Sequence, residues 1–271
     1  MERIEGRTAF ITGAGSGIGL AIAEALVANG AKVVMADWHR EVVEAEATRL
    51  GALPVHLDVT DRAGWSLAKV TAENIFGPVE ILVNNAGIAP DLNELADMPP
   101  ESFDRLVAIK LTGSFNGIHT FAAGMRARGE GHIVNTASMA GLMGSARLGA
   151  YTASKFAVVG MSEVLRAELE AHGVGVSVLC PGMVRTNLME NTPPGVRPTD
   201  FPDGTGSGID PALVGTEVIA AIRENRLYII THGEYGSFVA ERSARLQQAF
   251  FSAPSHSEPG TKLPGTDVSV S

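Results

Sequence analysis

Short, fully apolar runs alternate along the chain with stretches whose apolar residues recur every three or four positions. Thr8–Thr12 and Lys32–Asp37 read as buried strands. Between them, Ile18–Asn29 carries Leu20, Ala21, Ala25 and Leu26 at helical spacing, and Gly30 stops it. The same rhythm predicts helices over Glu41–Leu50, Arg62–Phe76, Glu101–Arg126, Ala150–His172 and Pro211–Glu224. It predicts further strands over Leu53–Asp58, Ile81–Val83, His132–Thr136, Val174–Leu179 and Leu227–Ile230. Strands apolar at every position need cover on both sides, which regular β-α alternation supplies. The expected fold class is α/β, a parallel sheet with helices on both faces. No interdomain linker and no repeat of solenoid period interrupts it, so residues 1–251 read as one domain.

Two segments break the rhythm. Asn187–Gly208 holds four prolines and four glycines and reads as a long loop, a lid over the substrate (187–208). Residues 252–271 contain 12 Ser, Pro, Gly or Thr among 20 and are expected to be a disordered C-terminal tail.

Composition narrows the function classes. Of 271 residues, 45% are hydrophobic, enough for a substantial core. Lys and Arg number 21 against 30 Asp and Glu, a net charge of −9 without a basic cluster, which argues against a nucleic-acid partner. The uncharged stretch Thr8–Ala23 is too short for a membrane span and is interrupted by four glycines. Mixed charges before it do not resemble a signal peptide. One cysteine, Cys180, excludes an internal disulfide framework, so a soluble cytoplasmic protein is expected. The seven histidines show no metal-ligand spacing, and no metal is expected.

The glycine excess, 31 residues or about 11% against a usual share of about 7%, is partly concentrated in one turn. Gly13-Ala14-Gly15-Ser16-Gly17-Ile18-Gly19 lies between the first strand and the first helix. Glycines there allow a tight turn and bring backbone N–H groups to a pyrophosphate at the positive end of the helix. A bare glycine pattern is weak; strand before and helix after give it meaning. Asp37, at the end of the second strand and 18 residues after Gly19, is placed to accept the hydroxyls of an adenosine ribose and to repel a 2′-phosphate. NAD is therefore favoured over NADP, with His39 and Arg40 close enough to keep NADP as the alternative.

The spacing of this turn resembles that of the short-chain dehydrogenase/reductase family, and five further motifs follow in the family's order between about Arg7 and Ile230. Leu57-Asp58-Val59 resembles its adenine-contacting strand end. Asn84-Asn85-Ala86-Gly87 is similar to its fourth-strand motif, where the second Asn and the following backbone lie along the adenosine. Ser138 precedes Tyr151 by 13 residues, and Tyr151-Thr-Ala-Ser-Lys155 has the family's Y-x-x-x-K form. Pro181-Gly182-Met183-Val184-Arg185-Thr186 resembles P-G-x-V-x-T, where the Thr holds the nicotinamide carboxamide. The resemblance implies a single-domain Rossmann-type, doubly wound sheet and a nicotinamide-dependent oxidoreductase. It implies cofactor contacts from Gly13, Ser16, Gly17, Ile18, Gly19, Asp37, Asp58, Val59, Asn85, Tyr151, Lys155, Val184 and Thr186. It also implies a homo-oligomer, dimer or tetramer, joined through the long helices near 101–126 and 150–172. More loosely, Gly141–Ser145 and Asn225–Ile230 resemble the Cα-dehydrogenases of lignin-type aryl ethers.

Tyr151 and Lys155 are four apart and share a helix face. A tyrosine of ordinary pKa near 10 is no base at neutral pH; a neighbouring ammonium favours its phenolate. Tyr151 then takes or returns the substrate proton while Ser138 fixes the same oxygen. Alone, the Tyr/Lys pair is a common surface pattern; the upstream motifs change its meaning. Lys110 departs from the family, which usually has Asn there. Either its stem snorkels past the core to water, the reading favoured on desolvation grounds, or its ammonium lies near Lys155 and adds positive potential at Tyr151. Met139, Met143, Met183 and Met189, with Ile88, Leu142 and Leu148, suggest an apolar pocket, with core filling an equal reading for Met139. The expected substrate is a bulky, largely uncharged secondary alcohol or its ketone. The alternatives are an NADP-dependent carbonyl reductase and a catalytically weak dinucleotide-binding regulator.

Overall fold

In a computed structural model, residues 1–90, 92–188, 192 and 208–254 are described. Two compact units are present, Met1–Gly233 and Glu234–Ser271. Among the described residues, the first contains seven strands: β1 (Thr8–Thr12), β2 (Lys32–Asp37), β3 (Leu53–His56), β4 (Ile81–Asn84), β5 (Gly131–Thr136), β6 (Val174–Cys180) and β7 (Tyr228–Ile230). They form one parallel sheet in the order β3-β2-β1-β4-β5-β6-β7. The order reverses between β1 and β4, which opens a crevice at the carboxyl ends of those strands.

Two helical layers follow from the alternation of side chains along the strands. Ile11, Val83, Val134 and Leu179 meet Ile22 and Leu26 of α1 (Gly17–Ala28) and Val218 and Ile222 of α7 (Pro211–Glu224). Phe10, Leu82, Ile133 and Val176 point the other way, to Trp65 of α3 (Arg62–Phe76), Phe121 of α5 (Gly113–Arg128) and Leu165 of α6 (Gly149–Leu169). Phe10 anchors this second layer, with ring centroids 5.7 Å from Trp65 and 5.2 Å from Phe121. A buried amide chain crosses it: Asn84 donates to Asn135, 2.9 Å, and Asn135 donates to Ser162, 3.0 Å.

Strands β1 and β2 and helices α3 and α7 have the expected limits; the other elements shift by one to three residues. The predicted long helix over 101–126 is α4 (Pro100–Val107), a π-helical turn (Ala108–Thr112) and α5 in succession. The widened turn falls at Lys110 and is followed by Gly113, where a Cβ would stand 2.7 Å from Val59. Helix α2 spans Arg40–Leu50. The second unit contributes a helix that the apolar pattern did not disclose, α8 (Gly236–Phe251). Apart from Asn187, Leu188, Thr192 and Gly208, the expected lid lies outside the described residues, as does the tail from residue 255. Among the described residues, no helix is long and apolar enough to cross a membrane.

His132 on β5 is fully buried, with Nε2 2.8 Å from the Ser177 hydroxyl and Nδ1 without a partner. Burial pushes its pKa from 6.5 to about 3, so the ring is neutral when folded. Between those values the unfolded chain binds the additional proton, and acid therefore favours unfolding. This one group should contribute a slope approaching about 1.4 kcal/mol per pH unit. Urea unfolding from pH 7 to 4 should show stability falling less steeply in His132→Gln than in the wild type; equal slopes would refute the assignment.

Candidate active site

The glycine turn is compact because its neighbours occupy the space of the missing side chains. A Cβ on Gly19 would lie 2.0 Å from the Gly13 carbonyl oxygen, and one on Gly13 would lie 2.8 Å from the Ala86 Cα. Gly13 and Gly17 also adopt φ of +63° and +55°, where a side chain is strained. Ser16 occupies the N-cap of α1 without a side-chain hydrogen bond to the helix, and the first turn holds no acidic residue. Ile18 packs on the core. This is a backbone cradle at the positive end of a helix, suited to the phosphates of a dinucleotide.

The other expected cofactor residues border the same crevice. Asp37 ends β2 and accepts the Gly15 N–H through Oδ2 and the His39 N–H through Oδ1, both at 3.0 Å. Asp58 receives the Thr60 N–H at 2.9 Å, while Val59 is buried and its carbonyl accepts Trp65 Nε1 and Asn116 Nδ2. Val184 pairs with Ile209 in a single parallel bridge. Thr186 sits against Gly17: a Cβ added there would be 3.0 Å from its own Cβ. Asn85 donates through its amide to the Thr12 and Gly13 carbonyls, at 3.1 and 3.3 Å, so the side chain braces the turn.

Ser138, Tyr151 and Lys155 converge where β5 and β6 end. Ser138 caps a short 3-10 turn over Met139–Gly141, donates to the Pro181 carbonyl at 3.3 Å and hydrogen-bonds the Tyr151 phenol. A Cβ on Gly141 would be 2.7 Å from the Lys155 carbonyl, so this glycine lets the turn dock on α6. Lys155 is buried, donates to the Thr136 carbonyl at 2.6 Å and stands 5.7 Å from the Tyr151 ring centroid. Burial lowers its pKa to about 8 and raises that of Cys180 to about 12, leaving Cys180 a packed, protonated thiol. Tyr151 stands on the same helix, α6. Desolvation pushes its phenol above the ordinary value, opposed by the Ser138 hydrogen bond, while the Lys155 ammonium lies over the ring.

Lys110 does not snorkel. It is 4% exposed, and its Nζ lies 4.8 Å from the Tyr151 ring centroid. The expectation failed because the π-helical turn carries the residue inward, where the bare Cα of Gly87 leaves room: a Cβ there would be 2.9 Å from Nζ.

Two contributors were not singled out from the sequence. The Thr12 hydroxyl accepts the N–H groups of Asn85 and Ala86, at 2.9 and 3.1 Å. His232 accepts the Gly182 N–H through Nδ1 at 3.1 Å, and its Nε2 lies 3.0 Å from the Met183 carbonyl, holding the segment that leads to Thr186. A histidine with no partner at ligand spacing carried no signal. Among the pocket candidates, Ile88 packs with Leu106 and Ala150, Leu142 packs against Val158 and Val159, and Met139 is buried. Met143 and Leu148 are partly buried and Met183 is exposed; Met189 lies outside the described residues.

The sequence model described as short chain dehydrogenase matches residues 7–196. A 3-alpha-(or 20-beta)-hydroxysteroid dehydrogenase of Mycobacterium tuberculosis is 35% identical over 228 residues, 83% of this chain and 86% of that protein. A C alpha-dehydrogenase of a Sphingobium species is 32% identical, covering 86% of this chain and 83% of the relative. A sorbitol dehydrogenase of Cereibacter sphaeroides is 41% identical, covering 67% and 72%. Among solved structures, a short chain dehydrogenase/reductase of Burkholderia phymatum in complex with NAD superposes with a TM-score of 0.85 at 31% identity, covering 97% of this chain and all of that one.

The cradle makes opposite predictions for two glycines. Gly19→Ala should weaken NAD binding at least about tenfold, read by fluorescence titration, because its Cβ meets backbone. Gly160→Ala, in open space on α6, should leave binding unchanged and raise stability by about 1 kcal/mol.

Proposed function

This chain belongs to the short-chain dehydrogenase family, and from that premise we propose that it is an NAD-dependent oxidoreductase interconverting a bulky, largely apolar secondary alcohol and its ketone. The observation that carries the reading is the convergence of the Ser138 hydroxyl, the Tyr151 phenol and the Lys155 amine at one point of the crevice. The bound nicotinamide supplies the acceptor or donor of hydride. Ser138 hydrogen-bonds the substrate oxygen and fixes its place. Tyr151 takes the hydroxyl proton at its phenol oxygen during oxidation and returns it during reduction. Lys155 supplies positive charge beside the ring and would hold the nicotinamide ribose. The turn over Gly13–Gly19 would hold the pyrophosphate, Asp58 and Val59 the adenine end, and Val184 and Thr186 the carboxamide.

Asp37 supports NAD. Its carboxylate is fixed beside the turn by two backbone N–H groups and would accept ribose hydroxyls, whereas a 2′-phosphate would meet its negative charge. Arg40, the residue favouring NADP, is exposed and lies 3.6 Å from Glu44. The apolar character of Met143, Leu148 and Met183 supports a bulky substrate. Arg147 donates to the Leu92 carbonyl, and Arg185 donates to Gly208 and Asp210, so both nearby guanidiniums are engaged away from a substrate carboxylate. The names of the hydroxysteroid and C alpha-dehydrogenase relatives support the same class. Exposed Phe115 and Val164, on α5 and α6, support assembly of copies through these helices.

The test is formation of reduced nicotinamide from NAD or NADP with aryl alcohols, alicyclic alcohols, sorbitol and small hydroxy acids. Turnover with NAD and the bulky alcohols is expected. Reaction confined to sorbitol or hydroxy acids would overturn the substrate class, and binding without turnover would favour the regulator. Tyr151→Phe should lower kcat by about 100- to 10,000-fold while keeping NAD affinity. Asp37→Ala should erode the preference for NAD over NADP by at least about tenfold.

A further inference from the structure

Two lysine amines share one tyrosine ring in this protein. Lys110 reaches it from the π-helical turn and Lys155 from α6, with Nζ atoms 4.8 and 5.7 Å from the Tyr151 ring centroid. Both lysines are only 4% exposed. Among the described residues, no carboxylate lies within salt-bridge distance of either. Their environments are nevertheless unequal. Lys155 has a hydrogen-bond acceptor in the Thr136 carbonyl, whereas the polarisable neighbour of the Lys110 amine is the face of Tyr151.

The helices packed around Lys110 also settle which charges act on it. Helix α6 supplies Tyr151 and Lys155; α4 and α5 add no charge that acts on the amine, and the Cys180 thiol on β6 stays protonated. Burial first, then the charge of Lys155, holds the Lys110 amine well below the ordinary lysine value. A structural filler would have no need of an amine here, since burial of an amine is unfavourable and an apolar side chain of the same length would fit the same channel.

Accepting the reading of Tyr151 as the proton-transfer group, we propose that Lys110 is a positioning residue that takes up a proton as Tyr151 gives one up, so that the phenolate forms against two charged amines. In this exchange the phenol O–H bond breaks and an N–H bond forms on Lys110, with water as the carrier. No electron moves, and the net charge of the site is unchanged. During alcohol oxidation the phenolate so formed takes the substrate proton, and the Lys110 ammonium then releases its own to water. Reduction runs these steps in reverse: water protonates Lys110, the phenol gives its proton to the substrate oxygen, and the phenolate regains one from Lys110.

Tyrosinate absorption of the full-length protein tests this without cofactor or substrate. The chain has three tyrosines, so the difference between each protein and the same protein carrying Tyr151→Phe isolates Tyr151. In Lys110→Met the Tyr151 midpoint should lie at least about one pH unit higher than in the wild type, a tenfold smaller phenolate fraction. Lys110→Asn should shift it in the same direction and carries the test should the Met variant fold poorly. In turnover, the acidic limb of kcat for oxidation should move up by a similar amount with KM nearly constant. A midpoint unchanged or lowered in the folded variants overturns the proposal, because a purely structural role would alter thermal stability without moving the titration. Failure of the acid/base reading itself would show separately, as undiminished turnover in Tyr151→Phe.

Discussion

One hydroxyl group joins the two strands at which the sheet reverses its order. Thr12 ends β1, and its Oγ accepts the N–H groups of Asn85 and Ala86 just beyond β4 while lying within 3.4 Å of the Val83 carbonyl. Asn85 returns the contact through its amide, which donates to the Thr12 and Gly13 carbonyls. Parallel strands at a reversal diverge toward their crossovers, and the crevice exists because the chains leave in opposite directions. The Thr12–Asn85 exchange sets how wide it opens. The glycine turn on one side and the Gly87–Lys110 contact on the other both start from these residues.

This explains which parts of the molecule could be read from the chain. Strands buried on both faces advertise themselves as apolar runs, and β1 and β2 appear with the limits that pattern implies. Helix α7 is equally legible because Asp210 caps it and Pro211 opens it. Helix α8 is different: no side-chain cap marks its start. The grouping of Ser138, Tyr151 and Lys155 and the form of the glycine turn were legible, since they are set by local spacing on elements whose position the sheet dictates. The bracing by Asn85 was not, because which carbonyls an amide meets depends on distances between strands. Lys110 fails for the same reason. Helical periodicity says that a charged residue interrupts an apolar face; it does not say that a π-helical turn rotates it inward or that a glycine on another strand makes room.

Burial acts on the ionisable groups of the site in one direction. It raises the Tyr151 phenol and the Cys180 thiol and lowers the Lys155 and Lys110 amines, so desolvation alone would leave every group neutral. Proton transfer requires the opposite tendency at one atom. Ser138 supplies part of it by hydrogen bonding to the phenol, and the Thr136 carbonyl supplies another part by holding the Lys155 ammonium. The remaining residues act by geometry: Gly141 brings the turn of Ser138 onto α6, and His232 fixes the backbone around Gly182.

The pairing of Gly87 with Lys110 ties this electrostatic problem to the fold. A side chain at residue 87 would occupy the volume of the amine, and a shorter side chain at residue 110 would leave that volume empty beside the Tyr151 ring. The two positions therefore constrain each other across the crevice, one on the segment leaving β4 and the other on the helical layer. Because the segment of Gly87 continues directly from Asn85, the bracing of the glycine turn also locates the wall against which the Lys110 amine rests. The glycine turn and the cluster of Tyr151, Lys155 and Lys110 thus meet at two ends of one short stretch of backbone, residues 85–87, and a change in strand separation at the sheet reversal would disturb both.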